Sequence, residues 1–310
     1  MKSRSIKYGN PGEIQFVEVD ITEPQPWEVQ VRGTACGICA SDIYTYKNGT
    51  QTFFGPGHEG VGRVVKVGSG VNHLKVGDRV TSWALGFTST ATVNAYNLYK
   101  IPEESSLADE HWIVEPVACV VTGLDHCQLK PGDRIAVVGC GFMGLMLLQG
   151  LGRSYADEVI AIDIDPRRLE LARQFGATRT LTPDEALANL NDLRNLSIDC
   201  VVDASGAQPG LDLSTKLVRR GGRINLFGWN HGRPTFDGDT WHMEGLTIVN
   251  SAPNSALRDP WHAAIRLLNR GILDLRPLVT HTAPLDEYPT LLQKAVGREE
   301  GYIKGVIKLG

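Results

Sequence analysis

Long apolar segments are missing from this sequence, and so is any concentration of one charge sign. No stretch approaches the ~18 continuous apolar residues that suggest a membrane span, and the amino-terminal MKSRSIKYGN lacks the apolar core of a signal peptide. No run of lysine and arginine resembles a nucleic-acid footprint, and the net charge of -4 argues against a phosphate-binding surface. We therefore expect a cytoplasmic protein with neither a membrane nor a nucleic-acid partner.

The chain also has few cysteines, 6 in 310 residues. In a cytosolic protein of this length they are poor material for a disulfide framework, so metal binding, catalysis or plain burial remain. The length itself exceeds what one hydrophobic core usually holds and predicts two domains. The cysteines are Cys36, Cys39, Cys119, Cys127, Cys140 and Cys200.

Two different rhythms of secondary structure follow one another along the chain. Up to about residue 115, short β-type runs alternate with turn signals, which predicts a small all-β domain. From Pro131 onward, apolar strands alternate with helical patterns, which predicts βαβ units and a doubly wound parallel sheet. The predicted strands include 13–19, 27–33, 60–67, 78–82, 134–138, 158–164, 198–205 and 222–228, and the predicted helices include 141–151 and 166–175. The last fifty residues predict helix, strand, helix and strand at 259–269, 278–284, 286–296 and 302–309, without deciding which domain they extend.

A glycine motif lies between the first of these later strands and its helix. In the segment VVGCGFMG, Gly139 would form the tight turn, Gly141 would admit a pyrophosphate close to the backbone, and Gly144 would let the helix approach the strand. Phe142 and Met143 fall inside the same motif, where the helix N-terminus offers N–H groups to phosphates. Taken alone, a glycine turn is common in any α/β fold, so its place between strand and helix carries the prediction.

An acidic residue ends the next strand, nineteen residues beyond the last glycine of the motif. Asp163 can accept hydrogen bonds from the adenosine ribose and would repel a 2′-phosphate, which favours NAD over NADP. Arg167 and Arg168 follow closely and weaken that preference. Strand-ending aspartates are also common, and only the order of motif and aspartate makes the cofactor site specific.

Candidate metal ligands cluster in the all-β part. Cys36 and Cys39 stand in CGICASD, and His58 and Glu59 stand in GHEG, nineteen residues after the second cysteine. Each could be an ordinary core residue, and the cysteine spacing would also suit a redox pair or half of a structural zinc site. No second cysteine pair follows at a suitable spacing, which weakens the structural-zinc interpretation.

These segments together resemble the medium-chain dehydrogenase/reductase superfamily, closest to its zinc-dependent sorbitol and threonine dehydrogenase-like members. The resemblance lies in GICASD, GHEGVGRVVKVG, VGDRV, VEPVACVVTG, KPGDRIAVVGCGFMG and the carboxyl-terminal GVIKL, and it extends over nearly the whole chain. It implies an α/β architecture: a GroES-like β-rich catalytic domain over 1–117, a Rossmann NAD-binding domain over 118–258, and a tail over 259–310 that returns to the catalytic domain.

The resemblance also implies a catalytic zinc site. Position by position, it assigns Cys39 and His58 as ligands, makes Cys36 a bystander, and aligns Glu115 with the third ligand or a carboxylate near zinc. Glu59 is the alternative oxygen ligand. Three protein ligands with one open position are what a catalytic zinc requires.

Two further residues are implied to act on the substrate. Ser41 matches the hydroxyl that passes the alcohol proton outward, and Asp42 holds the ligand loop. Tyr44 stands where relatives often have histidine. Because the reference pKa of tyrosine is about 10, it is a poorer proton carrier near neutral pH, and it could simply line the substrate pocket.

One lobe of the resembled family is absent. Relatives commonly carry a four-cysteine structural-zinc lobe before the Glu-Pro motif, whereas Val80 to Glu115 contains no cysteine. We therefore expect one zinc per chain.

Further candidate positions for contacts with the substrate or cofactor are Trp83 and the ends of apolar strands. Ordinary packing explains the aromatic residues among them equally well. The strand-end residues are Ser205, Gly206, Phe227, Gly228, Trp229, Asn250 and Ser251.

The expected activity is hydride transfer from a secondary alcohol, such as a polyol or sugar, to NAD, with zinc as the metal. One rival is a zinc-free NADPH-dependent reductase of the same superfamily, and another is a non-catalytic NAD-binding protein. The zinc-free reductases lack this ligand set, and joint retention of Cys39, Ser41, His58 and Glu115 speaks against a non-catalytic protein. By analogy with the family, we expect a homodimer or homotetramer.

Overall fold

The chain is built as two compact units, one of which is assembled from both ends of the sequence. The computed structural model describes residues 2–49, 56–230 and 232–310. Unit 1 comprises the described residues within 1–117 and 264–310, and unit 2 comprises those within 118–263. Across these ranges, none of the helices combines the length and apolar character needed to cross a membrane.

The first part of the chain supplies a β-hairpin, most of a larger sheet and two helices. The hairpin strands pair antiparallel from Lys2↔Asp20 to Tyr8↔Ile14. The elements are β1 (Lys2–Tyr8), β2 (Ile14–Asp20), β3 (Glu28–Gly37), α1 (Ala40–Asn48), β4 (Gly60–Val67), β5 (Arg79–Ser82), β6 (Thr90–Asn94), β7 (Tyr99–Lys100) and α2 (Val114–Cys127).

Unit 2 contains a six-stranded parallel sheet whose buried strands read as continuous apolar runs, as expected for strands covered on both faces. Its strand order, β10-β9-β8-β11-β12-β13, reverses direction between β8 and β11, and ligands bind at such a switch point. The elements are β8 (Arg134–Val138), α3 (Phe142–Leu151), β9 (Glu158–Ile162), α4 (Pro166–Gln174), β10 (Arg179–Leu181), α5 (Pro183–Ala188), α6 (Leu190–Asn195), β11 (Ile198–Asp203), α7 (Gln208–Leu217), β12 (Val218–Leu226), α8 (Gly238–Met243) and β13 (Thr247–Asn250).

The end of the chain returns to the sheet of unit 1. The final strand pairs antiparallel with β3 through Val306↔Gly37 and Ile307↔Cys36. The last elements are α9 (Pro260–Asn269), β14 (Val279–Pro284), α10 (Tyr288–Gly297) and β15 (Lys304–Lys308). The seven-stranded sheet has the order β14-β15-β3-β4-β5-β7, with β6 paired to β3.

The predicted fold class is confirmed, since a GroES-like sheet unit and a Rossmann-type parallel sheet are both present. The strands predicted at Gly60–Val67 and Arg134–Val138 have the same ends in the structure. The strand predicted to end at Gly33 continues to Gly37, which brings it directly to the segment of Cys39.

Candidate active site and cofactor site

The glycine turn of unit 2 is forced to be glycine by close backbone contacts. Gly139 has a φ of +98°, and a Cβ there would lie 2.7 Å from the Ser205 nitrogen. At Gly144 a Cβ would lie 1.9 Å from the Gly139 carbonyl oxygen. The turn that follows β8 therefore sits against the end of β11, at the switch point of the sheet.

Gly141, the middle glycine of the motif, differs from the other two glycines because the space around its Cα is open. The nearest atom to a Cβ at Gly141 would be Nη1 of Arg168, 4.0 Å away. Gly141 is also the N-cap of α3, and the half-buried Phe142 and Met143 form the first turn. A clear space at a helix N-terminus beside a guanidinium suits a pyrophosphate.

Asp163 follows β9 directly and connects two loops through its carboxylate. One oxygen accepts from the Cys140 backbone N–H at 2.6 Å and the other from the Asp165 N–H at 2.8 Å. Asp165 in turn caps α4 and pairs with the side chain of Arg167, which lowers the pKa of Asp165. Asp163 therefore holds the glycine turn in addition to any contact with ribose, a role that its position in the sequence did not reveal.

The ends of β11 and β12 are joined by a residue that sequence reasoning missed. Asp203 is fully buried, and its carboxylate accepts from the backbone and hydroxyl of Ser205 at 2.9 and 2.6 Å. Burial raises the pKa of Asp203 despite these hydrogen bonds. Its backbone oxygen accepts from the N–H groups of Phe227 and Gly228. Within unit 2, the Phe227 ring packs against Gly123 so closely that a Cβ at Gly123 would lie 2.7 Å from the ring. Phe227 is therefore at least partly a packing residue.

A cluster of possible metal donors lies in unit 1. The donor atoms of Cys39, His58 and Glu59 all fall within 4.8 Å of one another. Cys39 stands at the N-cap of α1, while His58 and Glu59 immediately precede β4. Glu115, near the start of α2, places Oε2 4.0 Å from Nε2 of His58. Thiolate, imidazole and carboxylate form a donor set that zinc accepts.

The electrostatic environment of this cluster favours a cation. Burial by itself lowers the pKa of His58, but the hydrogen bond and charge of Cys39, with the charges of Glu115 and Glu59, outweigh burial and raise the pKa to about 10. The protein therefore creates a negative potential at the imidazole, as a site for a divalent metal must do. The residues present fit the zinc that the sequence resemblance implies.

Asp42 connects the two segments that carry the cysteine and histidine donors. Its carboxylate accepts from the Cys39 N–H at 2.9 Å and from the Gly57 N–H at 3.1 Å. The hydroxyl of Tyr8 lies 3.2 Å from the same carboxylate and contacts the hydroxyl of Tyr288. Burial raises the pKa of both phenols, and the Asp42 charge raises it further. Sequence reasoning predicted the holding role of Asp42 but missed both tyrosines.

Ser41 and Tyr44, the two residues predicted to act on the substrate, lie on α1, whose N-cap is Cys39. Ser41 is buried in the first turn of α1, and Tyr44 is half-buried three residues later. Residues three apart share a helix face, so the two hydroxyl-bearing side chains are neighbours along α1. Cys36, by contrast, is fully buried in the apolar core of unit 1 and is not part of the donor cluster.

The segment before Glu115 is held by an arginine. The Arg79 guanidinium donates to the Asp109 carboxylate at 3.0 Å and to the carbonyl oxygens of Ser105 and Leu107 at 3.1 and 2.9 Å. This is the region in which the resembled family commonly has a structural-zinc lobe. An internal ion pair with backbone hydrogen bonds fixes the loop here.

A donor cluster suited to zinc in unit 1 and a glycine turn suited to a dinucleotide in unit 2 are together typical of dehydrogenases that use both a metal ion and a dinucleotide. Residues 25–103 match the "Alcohol dehydrogenase GroES-like domain" and residues 129–270 match "Zinc-binding dehydrogenase". The chain belongs to the zinc-dependent alcohol dehydrogenase-like members of the medium-chain dehydrogenase/reductase superfamily, and it is an oxidoreductase.

Three relatives illustrate the similarity. A D-arabitol-phosphate dehydrogenase from Enterococcus avium is 30% identical, over 97% of this chain and 96% of its own. A sorbitol dehydrogenase from Gallus gallus is 28% identical, over 89% and 88%. The solved structure of the alcohol dehydrogenase TADH from Thermus sp. ATN1 has a TM-score of 0.84 at 26% identity, covering 98% of this chain and 99% of that one.

Proposed function

We propose that the protein oxidises a secondary alcohol, of the polyol or sugar class, to a ketone with NAD as hydride acceptor. The observation that carries the proposal is the cluster of Cys39, His58 and Glu59, with Cys39 half-buried and the other two buried, and with Glu115 beside His58. The names of the relatives support the substrate class, since both curated ones are dehydrogenases named for sugar alcohols or their phosphate.

Each residue of unit 1 has a defined task in this proposal. Cys39, His58 and Glu115 hold zinc, with Glu59 as the alternate carboxylate. When bound, zinc polarises the substrate hydroxyl and lowers its pKa, and NAD accepts the hydride. Ser41 takes the hydroxyl proton and passes it outward, while Tyr44 lines the pocket.

Unit 2 binds the dinucleotide in this proposal. Gly139, Gly141 and Gly144 with Phe142 and Met143 form the pyrophosphate turn, and Asp163 accepts from the ribose. Arg168 is proposed to face the phosphates, because its guanidinium borders the open space at Gly141. Ser205, Phe227 and Gly228 are proposed to flank the cofactor at the strand ends.

A substrate screen tests the function directly. Polyols, sugars and secondary alcohols are offered with NAD or NADP and zinc, and reduced cofactor is read by absorbance. We expect turnover of at least one polyol or related alcohol with NAD. Turnover confined to reduction of activated double bonds with NADPH would indicate the zinc-free reductase, and NADH binding without any turnover would indicate a non-catalytic protein.

Asp163→Ala is expected to narrow the preference for NAD over NADP by about tenfold, the size of one charge-assisted hydrogen bond. The carboxylate is expected to accept from the ribose hydroxyls and to repel a 2′-phosphate. The measurement is kcat/KM with each cofactor. Because Asp163 also holds the glycine turn, NADH binding and thermal stability serve as controls. A wild type that prefers NADP would contradict this assignment.

Elemental analysis of protein purified without added metal is expected to approach one zinc per chain. Among the described residues, the donor cluster at Cys39 is the one group of three or more suitable side chains, and Arg79 holds the loop before Glu115 through Asp109. Cys39→Ser should lose most of that zinc, because the thiolate is a proposed ligand. Two tightly bound zinc ions per wild-type chain would refute the expectation.

The cellular location, the oligomeric state and the domain limits of the protein are also proposed. A reduced thiolate at Cys39 suits the cytoplasm, and assembly as a homodimer or homotetramer is proposed by analogy with the family. Domain limits of 1–117, 118–258 and 259–310 are proposed with the tail assigned to the catalytic domain, for which the pairing of β15 with β3 is support.

A further inference from the structure

Two buried tyrosine hydroxyls form a hydrogen-bonded chain that ends on the carboxylate of Asp42. Tyr8 is the last residue of β1 and Tyr288 is the first residue of α10, and both side chains are buried. The Tyr8 hydroxyl donates to Oδ1 of Asp42 at 3.2 Å and contacts the Tyr288 hydroxyl. Because a phenol has one proton and that of Tyr8 is engaged with the carboxylate, the Tyr288 hydroxyl is the donor to Tyr8. The chain therefore runs from α10 through β1 to α1.

The two carboxylate oxygens of Asp42 bind different segments of the proposed zinc site. Oδ2 accepts from the backbone N–H of Cys39 at 2.9 Å, a bond that an acidic residue in the first helical turn often makes to the N-cap residue. Oδ1 accepts from the N–H of Gly57, which directly precedes His58, at 3.1 Å. Helix capping explains the first bond but not the second. Because Tyr8 donates to the same Oδ1, its hydroxyl contacts the oxygen that holds the histidine-bearing segment.

Gly57 is held by packing as well as by this hydrogen bond. Its φ is +75°, and a Cβ there would lie 2.8 Å from the Phe87 ring. The Phe87 ring in turn packs against the Tyr288 ring, with 4.6 Å between the ring centroids. The backbone that leads into His58 is therefore fixed by an aromatic ring and by the carboxylate of Asp42.

A carboxylate that is 3% exposed, as that of Asp42 is, needs several hydrogen-bond donors to replace its lost hydration. The phenol of Tyr8 is the third donor, after the two backbone N–H groups. Burial raises the pKa of Tyr8, and the charge of Asp42 raises it further, so the phenol keeps its proton at neutral pH. A second hydroxyl that donates to Tyr8 strengthens the bond to the carboxylate, because hydrogen bonds in a chain polarise one another.

We propose that Tyr8 and Tyr288 are positioning residues of the metal site, which act through Asp42 to hold the segments of Cys39 and His58 at a fixed spacing. The inference rests on the proposed zinc site, in which neither phenol is a ligand. The two hydroxyls act in series, so the Tyr288 hydroxyl has its effect only while the Tyr8 hydroxyl is present. This order distinguishes the assignment from a role in packing, to which the two rings would contribute separately.

Replacement of each tyrosine by phenylalanine keeps the ring and removes only the hydroxyl. Tyr8→Phe, Tyr288→Phe and the double variant are compared with the wild type, with Tyr46→Phe as the matched control. The Tyr46 hydroxyl also joins α1 to α10, but its partner is Nε2 of Gln293, which donates to it at 2.5 Å. Zinc affinity is measured by competition with a chelator, and ligand geometry is read from the visible spectrum of the Co²⁺-substituted protein. Thermal stability and NADH binding report on folding.

Tyr8→Phe is expected to weaken zinc binding about tenfold, in the range that changes around metal ligands produce, and to shift the Co²⁺ bands. Tyr288→Phe should weaken zinc binding about twofold to threefold, because only the polarisation of the Tyr8 bond is lost. The double variant should match Tyr8→Phe rather than multiply the two losses, because both hydroxyls belong to one chain. Tyr46→Phe should keep the wild-type zinc affinity and Co²⁺ spectrum.

Wild-type zinc affinity and Co²⁺ spectrum in Tyr8→Phe would overturn the role of the tyrosines and leave the zinc site standing. A double variant that multiplies the single losses, or a Tyr46→Phe loss equal to that of Tyr8→Phe, would also overturn it. If Tyr8→Phe does not fold, Tyr288→Phe decides, and unchanged zinc affinity and spectrum in that variant would overturn the proposal. A wild-type Co²⁺ form without a thiolate charge-transfer band would reject the zinc site at Cys39 and, with it, both proposals.

Discussion

Replacement of Ser41 by alanine is expected to lower turnover by about 10²–10⁴-fold, the usual size of a general acid–base contribution. Ser41 is buried in the first turn of α1, whose N-cap is the proposed ligand Cys39. In the proposed mechanism this side chain carries the proton that leaves the substrate. The measurement is kcat for NADH formation on a substrate found in the screen.

Two controls separate this loss from structural damage. Zinc content and NADH affinity should remain at wild-type values in Ser41→Ala, because the hydroxyl is not a proposed ligand of either. Tyr44→Phe removes the neighbouring hydroxyl on the same helix and should reduce kcat much less. A loss in Tyr44→Phe as large as that in Ser41→Ala would make the phenol an essential part of the relay.

Glu115→Ala is expected to lower zinc occupancy and activity together, whereas Glu59→Gln should keep most of its zinc and lose turnover. Cys39 and His58 supply two ligands, and a catalytic zinc usually has three from the protein. In the proposed site the third is Glu115, whose carboxylate lies 4.0 Å from Nε2 of His58. Zinc per chain after dialysis and kcat/KM with NAD are the two measurements.

The choice of glutamine at position 59 matters for this comparison. Glu59 forms a buried ion pair with Lys304, so Glu59→Ala would leave that ammonium without a counter-charge, and breaking a buried pair on one side costs about 3–5 kcal/mol. Glutamine keeps a hydrogen-bond acceptor for the lysine. Both variants must stay folded and bind NADH, and full zinc retention with near-normal turnover in Glu115→Ala would exclude Glu115 from the ligand set.

Local patterns in the sequence predicted the features that depend on neighbouring residues. The glycine motif depends on the spacing of three residues in one turn, and Gly139, Gly141 and Gly144 meet three different steric situations in the structure. Apolar runs predicted the parallel strands well, because burial on both faces requires them. The short helix α1 was not predicted from periodicity, since its nine residues carry too weak an apolar pattern.

Contacts between distant parts of the chain could not be predicted in this way. Lys304 and Glu59 are 245 residues apart, and nothing near Lys304 distinguishes it from a surface lysine at a strand start. Tyr8 and Tyr288 meet from opposite ends of the chain for the same reason. Asp203 falls inside the strand predicted over 198–205 and was not singled out, because its bonds to the next strand end depend on sheet order.

Unit 1 is formed from two separate segments of the chain, and this affects the order in which the protein can fold during its synthesis. Unit 2 is one continuous segment that is fully made before α10 and β15 leave the ribosome, whereas unit 1 cannot complete its sheet until β15 reaches β3. Domains generally fold as units as the chain emerges. The part of β3 that leads to Cys39 therefore gains its pairing with β15 only after unit 2 has been made, so the segment that carries the cysteine donor is completed late.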